Sequence, residues 1–311
     1  MSTYDPAALE CLAAIVEEGG FERAAQRLNV TQSAVSQRLR ALEAQVGSVL
    51  IVRSRPLRPT PPGQLLLKHT KQMRLLRADL ERDLQELAPS APGGTREDER
   101  ISIAINADSI ATWAMGALHD LVCQRLPLEI IVDDQDFTQE WLRSGQVLGC
   151  VTTLKQALRG CKMVPLGAMH YVAVASASYA QAHLPQGLSP HNFREVSFLS
   201  FNRKDDMAAE FVARAFGLKR VALNHLFVPG SEAQMRAVAA GWAVGVVPEL
   251  MARSAIADGS MVDLAPGHSL PVQLFWHCWN LESELLDALS AALTGAAAQA
   301  LVHSLSHTSG R

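Results

Sequence analysis

Along the first ninety residues the apolar positions recur at helical spacing; from Ile101 onward they gather into short runs separated by polar turns. Leu9, Leu12, Ala13 and Val16 mark one face of a first helix, opened by Asp5-Pro6 and closed by Gly19-Gly20. A short amphipathic stretch, Glu22 to Leu28, leads through a turn at Asn29 and Val30 into a second helix at Thr31. The Thr31 hydroxyl suits an N-cap, because it can accept from an unpaired N–H of the first turn. In that helix Val35, Leu39, Leu42 and Val46 form an apolar stripe, and Gln32, Ser33, Ser36, Gln37 and Arg40 occupy the opposite face. The apolar run Val49 to Val52, followed by a Pro-broken segment, reads as a β-wing. Pro61-Pro62 then starts a long helix to about Leu87. Its Leu66, Met73, Leu76, Leu80 and Leu87 follow a seven-residue repeat, with His69 and Asp83 at weaker positions. A narrow apolar seam on a charged helix predicts a coiled coil between two copies of the chain.

Residues 89–100, rich in Pro, Gly and charge, read as a hinge linker. Beyond it the pattern predicts strands at 101–106, 128–134, 147–153, 170–176, 196–201, 221–228, 243–248 and 272–278. Helices are predicted at 109–125, 139–144, 205–216, 231–241, 248–258 and 282–303. Apolar strands separated by helices imply parallel α/β sheets. A break near Pro165-Leu166-Gly167 and a return near Pro266 to Pro271 imply two lobes joined by two crossings. The expected domains are therefore 1–60 (winged helix-turn-helix), 61–88 (dimerisation helix), 89–100 (hinge) and 101–311 (α/β). The last divides into lobe I, about 101–166 and 271–311, and lobe II, about 167–270.

Charge sharpens this picture. The 311-residue chain has a net charge of −3. Yet Gly20 to Thr60 carries Arg23, Arg27, Arg38, Arg40, Arg53, Arg55 and Arg58 against only Glu22 and Glu43. Arginine suits bidentate contact with phosphate and guanine. Residues 89–311 are acidic, so DNA contact is expected from the N-terminal part alone. The expected DNA-facing residues are Arg23, Thr31, Gln32, Ser33, Ser36, Gln37, Arg40, Arg53, Arg55 and Arg58. The N-terminus has no signal-peptide pattern and no run is long enough for a membrane span, which predicts a cytoplasmic protein with no membrane partner. The five cysteines are scattered without a CxxC and read as small apolar residues. GxSxG, P-loop, GxGxxG and zinc-ligand spacings are absent, so an enzyme is not expected.

The N-terminal segment resembles the winged helix-turn-helix of LysR-type transcriptional regulators. The match rests on Ala24-Ala25, Thr31-Gln32-Ser33-Ala34-Val35-Ser36, Arg40-Ala41-Leu42-Glu43, Gly47, Leu50, Arg53 and Thr60-Pro61-Pro62-Gly63. Gly20 and Ile51 depart from the usual Ser and Phe without changing the expected fold. The resemblance implies an α/β protein overall: a winged helix-turn-helix, a linker helix that pairs two subunits, and a two-lobed, periplasmic-binding-protein-like effector domain. It further implies promoter DNA as a partner and a homodimer or homotetramer, and it leaves RNA polymerase open as a further partner.

Ligands of two-lobed folds bind at strand carboxyl ends and helix amino ends. Those positions hold Asn106, Asp108, Ser109, Thr112, Asp133, Asp134, Gln135, Thr152, Asn202, Asp205, Asp206, Ser231 and Glu232. The set is rich in carboxylates and hydroxyls, which suits a cationic ligand. Several of these residues are equally explicable as ordinary helix caps. The runs NADSIATW, VDDQ, TQEWLRSGQVLGCVTT, DDM and PGSEA resemble the lysine- and arginine-responsive ArgP/LysG subfamily. That resemblance implies no cofactor and a basic amino acid effector, lysine or arginine, controlling export or metabolism genes for basic amino acids. Arg203-Lys204, two cations before the acidic pair, depart from that pattern. The competing reading is an effector-independent DNA-binding protein of nucleoid or replication-control type.

Overall fold

The computed structural model describes residues 4–54, 56–87, 101–124, 126–135 and 137–302. The expected hinge linker at 89–100, Arg55 and the end of the final helix at His303 lie outside them. Three helices, α1 (Pro6–Glu18), α2 (Phe21–Arg27) and α3 (Gln32–Val46), close around Leu12, Ile15, Ala24, Val35, Leu39 and Leu42. Asp5 caps α1 by accepting from the Ala7 N–H, and Thr31 caps α3 by accepting from the Ala34 N–H at 3.2 Å. Gly19 and Gly47, both with positive φ, end α1 and α3.

The wing is β1 (Ile51–Val52) paired antiparallel with β2 (Arg58–Pro59). Its base is tied to the helix core by Glu43, whose carboxylate accepts from the Leu50 N–H at 2.9 Å. Thr60 closes the other side, its hydroxyl donating to Val49 O at 2.7 Å and its N–H to Leu50 O at 2.9 Å. A Cβ on Gly63 would lie 2.1 Å from Leu50 O, so the linker helix can start here only because residue 63 is glycine.

That helix, α4 (Pro61–Leu87), has two apolar faces. Leu67, Leu75 and Ala78 are buried within the chain. Met73, Leu76, Leu80 and Leu84 are between 44% and 56% exposed; the first three belong to the expected seam, whereas Leu66 packs against the core of the DNA-binding domain.

In the C-terminal part β3 (Ile101–Asn106) pairs in parallel with β4 (Leu128–Asp133) and β5 (Gly149–Thr152). The helical segment after β3 runs from α5 (Ala107–Ser109) through a π-helical turn (Ile110–Ala114) into α6 (Met115–Cys123). It begins two residues earlier than the pattern predicted, with Asn106 at the N-cap. The short helix α7 (Thr138–Arg143) links β4 to β5.

Between the lobes the expectation of a break is corrected. β6 (Cys161–Ser176) runs unbroken through Pro165, Leu166 and Gly167. It pairs antiparallel with β11 (Leu270–Trp279), from Leu270 opposite Tyr171 to Trp279 opposite Cys161, with one register shift between Leu274 and Phe275. Proline and glycine here mark a bulge in a continuous ribbon rather than a loop.

The remaining elements build lobe II. They are α8 (Ala177–His183), β7 (Ser197–Ser200), α9 (Met207–Phe216), β8 (Asn224–Phe227), α10 (Ser231–Ala239), β9 (Gly245–Pro248), α11 (Glu249–Ala257) and β10 (Met261–Asp263). β9 and β10 both pair antiparallel with β6, and β7 pairs in parallel with β8. Among the described residues the main sheet has seven strands and is mixed, not parallel, because β6 and β11 reverse the chain as they cross. The last helix, α12 (Glu284–Val302), returns to cover this sheet and buries Leu286, Leu289, Leu293, Ala297 and Leu301.

Candidate functional site

Two surfaces carry the polar residues singled out above. On the first, Gln32, Ser33, Gln37 and Arg40 are exposed along the open face of α3, and Ser36 is half-buried between them. Thr31 is exposed but its hydroxyl is engaged as the cap and lies 2.9 Å from Ser33 Oγ. Arg23 is exposed on α2, and Arg53 and Arg58 stand exposed on the wing, with the Arg53 guanidinium 5.6 Å from the Phe21 ring centre. Arg27, counted in the same basic run, is turned inward: its guanidinium meets Glu17 at 2.6 Å and Glu18 at 3.4 Å. Its role is to hold α2 against α1.

The second surface is a cleft of about 450 Å³ between the lobes, a volume within the range of small-molecule sites. Asn106, Asp108, Asp134, Gln135, Asp205, Asp206 and Ser231 line it, as their strand-end positions predicted. Asp108 stands in the first turn of α5. The Tyr171 hydroxyl donates to its Oδ2 at 2.5 Å, and Ser231 from the start of α10 also hydrogen-bonds it. Burial pushes the Asp108 carboxyl above the usual range; the hydrogen bonds from Ser231 and Tyr171 pull it down, and Asp205 adds repulsion. Among the described residues no ion pair reaches Asp108. Beside it, Asn106 Oδ1 is buried with no hydrogen-bond partner. Asp205 accepts from the Phe201 N–H at 2.7 Å and the Met207 N–H at 3.0 Å, which fixes the loop that enters α9.

Six expected residues do not line the cleft, for local reasons. Thr112 sits one turn along from Asp108 and donates to its backbone oxygen at 2.6 Å. Ser109 lies inside the first turn, fully buried. Asp133 accepts from Trp141 Nε1 at 2.8 Å and from the Asp134 N–H, holding α7 against β4. Thr152 donates toward Gln135 O at 3.1 Å and Gln139 Oε1 at 3.0 Å, a buried brace behind the wall. Asn202 accepts from the Lys204 N–H at 2.7 Å, and Glu232 is exposed outside the lining.

Other lining residues were not singled out from sequence. Tyr171, Phe137, Lys155, Phe201, Glu210, Gln234 and Gln273 all face the cleft. Of the two departing cations, Lys204 lines the cleft with its ammonium 4.9 Å from the Phe137 ring centre. Arg203 turns outward onto Phe227 at 5.5 Å. Among the described residues the lining thus holds five carboxylates, from Asp108, Asp134, Asp205, Asp206 and Glu210, against two lysines. Such a lining favours cationic guests. No His/Cys/Asp/Glu group among the described residues is arranged to hold a metal ion, and the five cysteines are free thiols.

A winged helix-turn-helix joined by a long helix to a two-lobed domain with an acidic cleft is the construction of a ligand-responsive DNA-binding regulator. Residues 6–64 match the bacterial regulatory helix-turn-helix protein model of the lysR family, and residues 94–299 match the LysR substrate binding domain. The chain belongs to the LysR family of transcriptional regulators. It is 40% identical to the HTH-type transcriptional regulator ArgP of Aeromonas salmonicida, over 97% of this chain and 99% of that protein. Its fold is similar to the crystal structure of ArgP from Mycobacterium tuberculosis, with a TM-score of 0.79 at 38% identity, covering 95% of this chain and 98% of that one. Full-length LysG from Corynebacterium glutamicum with bound effector Arg matches at a TM-score of 0.70 and 30% identity, over 96% and 99%. Among the described residues no helix is long and apolar enough to cross a membrane.

Proposed function

We propose that this chain is a cytoplasmic transcriptional regulator whose effector is L-lysine or L-arginine, bound between the lobes with no other cofactor. The observation that carries the reading is the Asp108 carboxylate, held deep in the cleft by neutral donors with no cation beside it. A buried carboxylate without a counter-charge is costly, and an entering ammonium or guanidinium relieves that cost. Asn106 Oδ1 offers the same group a second acceptor. A basic amino acid has two cationic groups and one carboxylate. Asp134, Asp205, Asp206 and Glu210 surround the second cation, and Lys155, Lys204 and the amino end of α10 face the carboxylate. The bound arginine in the C. glutamicum LysG supports this assignment.

In this reading Gln32, Ser33, Ser36, Gln37 and Arg40 face base edges and phosphates in the major groove. Arg23, Arg53, Arg55 and Arg58 hold the flanking backbone. The exposed seam of Met73, Leu76, Leu80 and Leu84 pairs with a second copy, so that two recognition helices read two half-sites. The homodimer, its pairing into a tetramer, contact with RNA polymerase and control of basic amino acid export or metabolism genes belong to the same proposal.

Isothermal titration of the full chain with L-lysine, L-arginine and L-norleucine tests the effector. Binding of the basic amino acids and not of norleucine, which keeps the length of lysine and loses its side-chain cation, is the expected result. Equal binding of norleucine, or no binding of either basic amino acid by protein that still binds DNA, overturns it.

A further inference from the structure

Away from the cleft, lobe I is docked on the linker helix through one turn. Ser144 is the C-cap of α7, and the turn that follows is closed by the Gly145 N–H on Leu142 O at 3.2 Å and the Gln146 N–H on Trp141 O at 3.0 Å. This makes Gly145 and Gln146 a rigid extension of α7. Gly145 has φ +73, and a Cβ there would fall 2.8 Å from Lys68 Cβ and 2.9 Å from the Lys68 backbone. Glycine is what allows the turn to lie directly on α4. One residue on, Gln146 O accepts from Lys71 Nζ at 2.6 Å. Leu75 of α4 joins the hydrophobic core of the effector domain beside this contact.

Lys71 also faces the DNA-binding domain. Its ammonium lies 3.3 Å from Glu17 Oε1 at the end of α1. The same carboxylate collects Arg74 of α4 at 3.0 Å and Arg27 of α2 at 2.6 Å, and Arg74 reaches Glu10 of α1 as well. Burial pushes the Glu17 carboxyl up, but Lys71, Arg74 and Arg27 together override it and hold it at about 2. Lys71 itself is only 10% exposed at its side chain. Charges held this closely cannot separate without leaving one of them buried and unpaired.

The other end of α7 is the cleft wall. Asp134, Gln135 and Phe137 line the cleft immediately before Thr138, and Asp134 O accepts the Thr138 N–H at 3.1 Å. A single short helix therefore touches the effector site with one end and α4 with the other.

We propose that the Gly145–Gln146 turn and Lys71 form the relay through which occupation of the cleft reaches the DNA-binding domain. A shift of α7 on effector binding moves Gln146 O against Lys71, and Lys71 passes the change to Glu17 and so to α1 and α2. The inference rests on the reading of the cleft as an effector site. It requires that the effector favour one position of α7 over another, since a ligand shifts an equilibrium only through such a difference.

Hydrogen exchange on the full chain, with and without L-arginine or L-lysine, tests it in three proteins: wild type, Lys71→Met and Gly145→Ala. The two variants attack the contact from opposite sides, so a folding defect in one leaves the other informative. In the wild type, the effector is expected to alter exchange in the cleft segments 132–143 and 201–210 and also in α1 and α4. In both variants the cleft response remains and the α1 response falls at least fivefold. Without effector, both variants are expected to exchange faster at 142–148. An α1 response that persists in both variants, or a wild type whose cleft responds while α1 and α4 do not, overturns the relay. A wild type with no cleft response to either amino acid overturns the effector reading instead, and with it the relay; the ligand-free exchange at 142–148 then shows whether the docking contact itself stands.

Discussion

Tyr171 donates its hydroxyl to Asp108 across 2.5 Å, joining a strand shared by both lobes to the helix that opens lobe I. Ser231, from lobe II, reaches the same carboxylate. Asp108 is thus the point where the three walls of the cleft meet. Asparagine at this position keeps an acceptor for Tyr171 and Ser231 but loses the charge. Asp108→Asn is expected to weaken L-arginine or L-lysine binding by tenfold or more, since a charge-assisted hydrogen bond contributes about 1.5–3 kcal/mol. Its melting temperature without effector should match or exceed that of the wild type. Calorimetric titration beside a thermal scan checks both, and unchanged affinity would remove Asp108 from the site.

The same carboxyl gives the effector response a pH dependence. Burial raises its pKa, and only the ionised form holds a cation. Affinity is therefore expected to be level at high pH and to fall as pH drops through that raised value, with a proton released on binding on the acid side. Titrations in two buffers of different ionisation enthalpy measure the proton. Proton uptake on binding would contradict the assignment.

On the DNA surface the two classes of contact should separate. Gln32→Ala and Arg40→Ala, on the open face of α3, are expected to reduce preference for a selected duplex over random DNA. Arg53→Ala and Arg58→Ala, on the wing, should weaken binding to both and lower the slope of log affinity against log salt by about one each. Fluorescence anisotropy at several salt concentrations measures both quantities. Effector binding should survive all four substitutions; parallel loss of it would contradict the separation into modules.

Leu80 is 56% exposed in the single chain, so a charge there disturbs no internal packing. Leu80→Asp is expected to lower the mass seen by light scattering to that of one chain, with the helical content of the monomer retained. A dimer that survives this change and Met73→Asp together would place the subunit contact elsewhere.

Glu17 links acid stability to the junction of the domains. Its folded pKa of about 2 lies below the ordinary glutamate value of 4.5, so its contribution is present above 4.5 and lost as pH falls toward 2. The size is on the order of 2–3 kcal/mol, and the burial that holds the Lys71 ammonium below the ordinary lysine range offsets part of it. In urea unfolding from pH 6 to pH 3, Glu17→Gln should flatten the loss of stability seen in the wild type. Parallel curves for the two proteins would refute the assignment.

Much of the architecture was legible because local signals agreed with the final packing. Thr31, Gly47 and the stripe Val35, Leu39 and Leu42 each specify the same helix, and the acids at strand ends fall in the cleft at Asp108, Asp134 and Asp205. The misreadings share a cause. Position along the chain points Thr112 and Asp133 at the cleft, but 3.6-residue periodicity turns Thr112 back onto its own helix, and Trp141 draws Asp133 away from the cleft. The sequence marks Tyr171 only as part of a strand. The alternation of Tyr171, Ala173 and Ala175 places it on a buried face, but that this face meets the cleft depends on a crossing that Pro165 and Gly167 disguised as a break. On α4 the seven-residue repeat drew attention to one face, while Leu67, Leu75 and Ala78 served the other.

The crossing itself has a mechanical consequence. Two lobes tethered by loops swing freely, but β6 and β11 remain hydrogen-bonded to each other along the whole passage. A change in the angle between the lobes must therefore twist a pleated ribbon, which carries a register shift between Leu274 and Phe275 where the local twist increases. The angle between the lobes is therefore tied to the twist of this ribbon rather than left to a loop.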